Sequence, residues 1–150
     1  MIIPPAADYA TSRRELLALA EGRGAALSSH RHPLAGPSGE VLATDVARFG
    51  AAPGAAGAVV VVQSGLHGVE GHAGWGLQKL LVESDRLDAL PAGVAVVLVH
   101  AANPYGMAWT RRVDHGNIDV NRNFIDFGAA LPRNAHHRTV ASILNPRDPE

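Results

Sequence analysis

Residues 58–71, AVVVVQSGLHGVEG, decide the fold class. The stretch opens with a short run of β-branched valines, which is typical of a strand buried on both faces of a parallel sheet. A second run of this kind, VAVVLV, occupies residues 94–99. Between the two runs, apolar residues recur at helical spacing and predict a helix over about residues 70–84. Strand, helix and strand form a right-handed crossover unit, so we predict an α/β protein with a parallel or mixed sheet and flanking helices.

The residues before this unit predict a helix followed by a hairpin. Ser12-Arg13-Arg14-Glu15 has the form of a capping box, and Gly22 and Gly24 are placed to end the helix. Residues 25–32 and 41–49 are expected to form two strands, joined by a turn rich in glycine and proline. No linker or internal repeat interrupts the sequence. We therefore treat the whole chain as part of a single domain.

Composition excludes several classes of protein. The chain has 150 residues, 47% of them hydrophobic, which is enough for one domain with a core. Its net charge of −1 argues against a nucleic-acid or anionic-membrane binder. No apolar run is long enough to span a bilayer, and the first residues lack the features of a signal peptide, so we expect a cytoplasmic protein. Because cysteine is absent, any metal ion must be bound by His, Asp or Glu.

Polar, glycine-rich loops follow both valine-rich strands. The first contains His67 and Glu70, and the second is residues 100–106. Ligands of open parallel sheets bind beyond the carboxyl ends of the strands, so both loops are expected at one edge of the sheet. Imidazole and carboxylate are the ligands that zinc takes when no thiolate is present. The alternative interpretation is a surface histidine and a glutamate that favours a helix N-terminus.

A third polar stretch, residues 111–124, reads RRVDHGNIDVNRNF. Arginine forks bind carboxylates through two parallel hydrogen bonds, and asparagine adds neutral donors. This composition favours a pocket for an anion. The alternative is a solvated loop with local Asx turns.

Taken together, three motifs carry a family resemblance. They are Gly-x-His-Gly-x-Glu-Gly at residues 65–71, Asn-Pro-Tyr-Gly at residues 103–106, and Asn-x-Asp-Val-Asn-Arg-Asn-Phe at residues 117–124. This combination resembles the zinc carboxypeptidase family, in particular an uncharacterised bacterial branch near succinylglutamate desuccinylase and aspartoacylase. The resemblance implies a three-layer α/β/α fold. It also implies a zinc-dependent hydrolase that cleaves an amide or peptide bond next to a free carboxylate.

The resemblance further implies a role for individual residues. His67 and Glu70 would be two of three protein ligands to one zinc ion. Arg112 would polarise the scissile carbonyl, with Arg111 as the alternative. The substrate, a small molecule or peptide with a free carboxylate, would be held by Asn121 and Arg122, and Arg111 is a further candidate for substrate binding.

Two parts of the implied site have no counterpart in the sequence. The family places a third histidine ligand well beyond the Asn-Arg pair and a general-base glutamate further on, but the sequence ends at Glu150. His136 and His137, the only histidines beyond that pair, fall on a predicted helix over residues 136–144 and are not expected to complete the site. We therefore expect residues 1–150 to form the N-terminal part of a catalytic domain.

Two other functions stay open at this point. One is an inactive fragment, or a remnant that binds a carboxylate. The other is a serine hydrolase that uses Ser64 with His67, although Gln63-Ser64-Gly65 lacks the Gly-x-Ser-x-Gly nucleophile elbow.

The other histidines have simpler interpretations. His30 and His32 share one face of a predicted strand and are interpreted as exposed strand residues in preference to metal ligands. His100 ends a buried strand and is expected at the edge of the core. His115 lies in the arginine-rich stretch, where it could contact substrate.

Overall fold

A computed structural model describes residues 8–122, 124–130, 133 and 136–144. The helices are α1 (Tyr9–Gly22), α2 (Gly71–Glu83), α3 (Pro104–Ala108) and α4 (His137–Leu144), and the strands are β1 (Ala26–Ala35), β2 (Val41–Gly50), β3 (Ala58–Gln63) and β4 (Val94–His100). Single turns of 3₁₀ helix cover Gly68–Glu70, Asp85–Leu87 and Val120–Arg122. Within the described part of the chain, no helix has the length and apolarity needed to cross a membrane.

The four strands form one mixed sheet in the order β1-β2-β4-β3. β1 and β2 form the predicted antiparallel hairpin, β2 pairs antiparallel with β4, and β4 pairs in parallel with β3. This arrangement confirms the predicted α/β class with a mixed sheet and flanking helices. β1 runs further than the predicted residues 25–32, with a shift of register between Arg31 and Ala35. Pro33 lies in this irregular part of an outer strand, where its missing N–H costs no central ladder bond.

The core lies between the sheet and the first two helices. Alternate residues of β2 and β4 point into it, and α1 and α2 pack against each other over the same face. The buried apolar side chains include Leu16, Leu42, Phe49, Trp75, Val82, Val96 and Leu98. The Tyr9 hydroxyl completes this face: it donates to the carbonyl of Ala43 and accepts from the N–H of the same residue, both at 2.8 Å.

β3 differs from its predicted environment. Its valines were expected to be buried on both faces, yet Val59, Val60 and Val61 are 50%, 52% and 60% exposed. The physical reason is position: among the described residues β3 pairs only with β4, which makes it an edge strand of the described sheet. β4, which lies between two neighbours, buries Ala95, Val96 and Leu98, whereas Val94, Val97 and Val99 are partly exposed.

The start of α1 also differs from prediction. The helix is capped by Asp8, whose carboxylate accepts from the N–H of Thr11 at 2.6 Å, and that hydrogen bond lowers the pKa of Asp8. Ser12 is not the cap but lies buried one turn inside the helix, where it donates to the carbonyl of Tyr9. Glu15 forms an ion pair with Lys79 of α2 at 3.2 Å instead of closing a capping box. Asp8 satisfies the same need for an N-terminal acceptor several residues earlier.

Gln78 of α2 fixes the helix against the ends of the parallel strands. Its Nε2 donates to the carbonyls of Val62 and Val99, at 2.9 and 3.0 Å. Its Oε1 therefore accepts the single proton of the Ser64 hydroxyl, at 2.9 Å. His100 joins this network, with Nδ1 3.3 Å from the Ser64 hydroxyl and Nε2 3.4 Å from the Ser12 hydroxyl. This buried network sets the point at which the chain turns away from β3.

His100 itself is fully buried. Loss of hydration on burial disfavours the imidazolium and lowers the pKa of His100 from 6.5 to about 4. In the unfolded chain the same imidazole regains water and an ordinary pKa. Between these two pKa values, His100 therefore binds a proton more strongly in the unfolded chain than in the folded one.

We expect the free energy of unfolding to fall by roughly 3 kcal/mol as the pH is lowered from 6.5 to about 4, because only the unfolded state gains a proton on His100. Urea denaturation at several pH values would measure this fall, and His100→Gln should flatten it. His30→Gln, at an exposed position on β1, is the control. An NMR titration showing that the buried imidazole takes up a proton near pH 6.5 would contradict the account.

Candidate functional site

The loops that follow β3 and β4 lie side by side, as the sequence predicts. The N–H groups of Ala102 and Asn103 donate to the carbonyls of Ser64 and Gly65, at 3.0 and 2.8 Å. Gly65 has a φ of +67°, a conformation that glycine adopts without strain. These bonds extend the parallel pairing beyond the strands and place His67 above the strand ends.

Gly68 allows the next close approach. A Cβ atom at this position would lie 1.8 Å from the carbonyl carbon of Gly106, so only glycine lets the turn after His67 pack on the backbone of α3. The 3₁₀ turn that follows brings Glu70 round towards His67. The spacing of three residues therefore places both side chains on the same side of the turn.

His67 lies at the centre of a polar cluster. The residue is only 9% exposed, and its two ring nitrogens face two different carboxylates. Nε2 is 3.0 Å from Oδ1 of Asp119, and Nδ1 is 3.5 Å from Oε1 of Glu70. Because the carboxylate of Asp119 can only accept a hydrogen bond, Nε2 of His67 is the donor of this contact. Nδ1 faces the carboxylate of Glu70.

Arg112 closes the other side of the cluster. Its Nε donates to Oδ2 of Asp119 at 2.9 Å, and its Nη1 lies 3.8 Å from Oε1 of Glu70. Partial desolvation acts to raise the pKa of Asp119, but hydrogen bonds from His67 and Arg112 outweigh it and hold that pKa below its ordinary value. Asp119 is therefore a carboxylate at neutral pH. The structure thus brings together three predicted site residues, His67, Glu70 and Arg112.

The distance between Nδ1 of His67 and Oε1 of Glu70 suits a shared metal ion. Two ligand atoms at 2.0–2.2 Å from one tetrahedral zinc ion stand about 3.4 Å apart. The observed separation is 3.5 Å. The bond from Nε2 to Asp119 matches the usual arrangement of a metal-bound histidine, which donates its second ring N–H to a carboxylate.

The described residues supply only part of a zinc coordination shell. Within residues 8–122, 124–130, 133 and 136–144, no three His, Asp or Glu side chains are grouped so that they could hold a metal ion. His136 and His137 lie at the start of α4 and are exposed. The donor chemistry of His67 and Glu70 fits zinc, with two protein ligands in view.

The predicted substrate-binding residues do not all point to the cluster. Arg111 bonds within its own loop, where Nη2 donates to Oδ1 of Asn117 at 3.1 Å. Asn121 and Arg122 lie on the 3₁₀ turn directly after Asp119, and both are exposed. The Arg122 guanidinium donates only to the carbonyl of Asn121, at 3.2 Å, and it pairs with no carboxylate in the part of the chain that the structure describes.

Asp119 is the site residue that sequence reasoning missed. It stands two residues before Asn121 in a motif that was already singled out, but no role was assigned to it. The only signal was an acidic residue inside an arginine-rich loop. Its contact with His67 spans 52 positions and depends on the path of the loop between them.

Ser64 does not form the dyad that a serine hydrolase requires. Its hydroxyl is buried and is committed to Gln78 and His100. Among the described residues it makes no hydrogen bond with His67. The geometry therefore gives this alternative no support.

Solved structures with similar folds cover part of the chain. The glutaminyl cyclase of Fimbriiglobus ruber has 18% sequence identity and a TM-score of 0.44, over 61% of this chain and 36% of that chain. A glutaminyl cyclase of Porphyromonas gingivalis has 19% identity and a TM-score of 0.36, over 65% and 40%. That of Tannerella forsythia has 16% identity and a TM-score of 0.40, over 63% and 38%. The chain thus spans about two fifths of the length of these structures, and a likeness this low carries no argument about activity.

No curated protein matches the sequence. A family model, described as "Protein of unknown function (DUF2817)", matches residues 6–150. The expected membership of the zinc carboxypeptidase family is therefore wrong, because the family model that matches is a different one. The prediction failed because it used three short motifs of common polar residues and glycine, which leave most of the chain untested. The chain belongs to the DUF2817 family.

Proposed function

We propose that this chain carries part of the active site of a zinc-dependent hydrolase, which cleaves amide bonds next to a free carboxylate. The observation that carries the proposal is the His67–Glu70 pair. Its facing donor atoms are 3.5 Å apart, and the second nitrogen of His67 bonds to Asp119. A zinc ion placed between Nδ1 of His67 and Oε1 of Glu70 would have both atoms at ligand distance.

A zinc ion bound here would supply Lewis-acid polarisation of the substrate carbonyl. His67 and Glu70 would hold the ion, and Asp119 would hold the His67 ring in the orientation that presents Nδ1. Arg112 borders the same space, and guanidinium N–H groups stabilise negative charge that develops on a carbonyl oxygen. The overall reaction adds water across the amide bond and releases an amine and a carboxylate.

The position of Arg122 is the observation that supports a substrate with a free carboxylate. It lies on the turn that follows Asp119, is exposed, and forms no ion pair with any described carboxylate. A guanidinium in that state can offer a fork of two hydrogen bonds to an incoming carboxylate. Asn121 beside it adds a neutral donor.

A second candidate function is carboxylate binding without turnover. The observation that favours it is the absence of a third grouped metal ligand among the described residues. Under that function Arg122 keeps its role and the His67–Glu70 pair is a polar contact only. Zinc binding distinguishes the two candidates.

We expect the purified chain to bind one zinc ion, and His67→Ala or Glu70→Gln to abolish binding, because each removes one of the two ligands in view. Isothermal titration calorimetry with zinc measures this. His30→Ala on β1 is the matched control and should bind as the unsubstituted chain does. Zinc binding that survives both site substitutions would remove these residues from the site.

Asp119→Asn should weaken zinc binding by about 10–100-fold, the usual effect of losing the carboxylate behind a ligating histidine. The variant keeps the size of the side chain and removes its charge. Competition with a chromophoric chelator gives the affinity. Asp126→Asn, at an exposed Asx turn, is the control, and equal affinities for the two variants would show that Asp119 does not orient His67.

Arg122→Ala should raise the Michaelis constant about tenfold or more for an N-acyl amino acid, because a charged hydrogen bond to its carboxylate is lost. For the corresponding N-acyl amino acid amide, which has no carboxylate, Arg122→Ala should leave the Michaelis constant unchanged. Arg31→Ala, at an exposed position on β1, should affect neither substrate. An equal effect of Arg122→Ala on both substrates would show that Arg122 does not read the carboxylate.

A further inference from the structure

Four aromatic rings from three parts of the chain meet beside the candidate site. Tyr105 of α3 stacks on Trp109, with ring centroids 5.7 Å apart. Tyr105 also contacts His32 of β1 and His115, each at 5.9 Å. The two imidazoles meet edge to face with centroids 5.0 Å apart. We call His32, Tyr105, Trp109 and His115 the ring cluster.

The ring cluster contacts the loop that delivers Arg112 and Asp119 to His67. His115 lies between those two residues in sequence, near the tip of the loop. At the beginning of the loop, the N–H of Arg111 donates to the carbonyl of Gly106 at 2.7 Å. At its end, Asp119 bonds to His67. Between these points, the ring of His115 contacts His32 of β1 and Tyr105 of α3.

The tip of the loop is internally rigid. The carboxylate of Asp114 accepts from the N–H groups of Gly116 and Ile118, both at 2.9 Å, and the N–H of Asp114 donates to the carbonyl of Ile118 at 3.0 Å. Asn117 has a φ of 61°, which asparagine tolerates better than most residues. A tip with these bonds moves as a unit. The contact made by His115 therefore sets the direction in which the chain runs from the tip towards Asp119.

We propose that His115 is a positioning residue, whose packing on His32 and Tyr105 holds the loop where Asp119 can orient His67. His115 touches neither His67 nor Glu70, and it is itself exposed, so it contributes little to the core. His115 acts by holding the loop that carries Asp119. The hydrogen bond from His67 to Asp119 then determines which ring nitrogen of His67 carries the proton. The expected effect of His115 on zinc affinity rests on the proposed function, whereas its expected effect on the tautomer of His67 does not.

The first readout uses the metal-free chain. Imidazole ¹⁵N shifts of His67 report which nitrogen carries the proton. The unsubstituted chain should show protonated Nε2 and unprotonated Nδ1, and His115→Ala should show a mixture of tautomers. His115→Phe keeps a flat ring in the cluster and should restore the single tautomer. His30→Ala, at a neighbouring exposed position on β1, should leave the shifts unchanged.

Zinc affinity is the second readout. His115→Ala should weaken zinc binding about tenfold, within the range seen when the support of a ligating histidine is lost, and His115→Phe should recover most of it. His32→Ala should weaken zinc binding less, because it leaves the contact of His115 with Tyr105, and the double variant should be no weaker than His115→Ala alone. Melting temperatures should change little.

The outcomes separate the two proposals. Unchanged His67 shifts in His115→Ala, or no recovery in His115→Phe, would overturn the positioning role. Absence of zinc binding in the unsubstituted chain, with the shifts of His67 still dependent on His115, would overturn the proposed function and leave the positioning role supported.

Discussion

The structure of the site depends on one constraint, the parallel pairing of β3 with β4 and its extension past the strand ends. The bonds from Ala102 and Asn103 to Ser64 and Gly65 hold the two following loops together. Once these loops are joined, Gly68 must pack on the backbone of Gly106, and His67 is fixed above the sheet edge. Two contacts of the polar cluster depend on that placement, since the carboxylates of Glu70 and Asp119 both approach His67.

Hydrogen bonds to Asp119 and one guanidinium hold the polar cluster together. Two carboxylates and one guanidinium surround a nearly buried imidazole, and the more exposed carboxylate, Glu70, lies on the solvent side. Asp119 accepts from both His67 and Arg112, which keeps its pKa low and its charge constant at neutral pH. Nδ1 of His67 and the carboxylate of Glu70 face each other at 3.5 Å, and Arg112 borders the same space, which is the geometric basis of the proposed zinc site.

Local patterns predicted much of the fold and less of the site. Hydrophobic periodicity located α2, β3 and β4, because burial on a regular element leaves a repeat that can be read along the chain. It did not predict the exposure of Val60, since that depends on which strands lie beside β3. The capping box at Ser12 was wrong because Asp8 offered an equivalent acceptor earlier.

The contact between His67 and Asp119 joins distant parts of the chain, so no local pattern contains it. Family membership failed for a related reason: short motifs constrain a few side chains, whereas the family model spans residues 6–150.

The central claim is that His67 and Glu70 share one zinc ion. Crystals grown with zinc and measured on both sides of its absorption edge would locate the ion directly through anomalous scattering. The account predicts one anomalous peak about 2.0–2.2 Å from Nδ1 of His67 and a similar distance from a carboxylate oxygen of Glu70. No peak at this pair, or a peak bound only by other histidines such as His136 or His137, would contradict it.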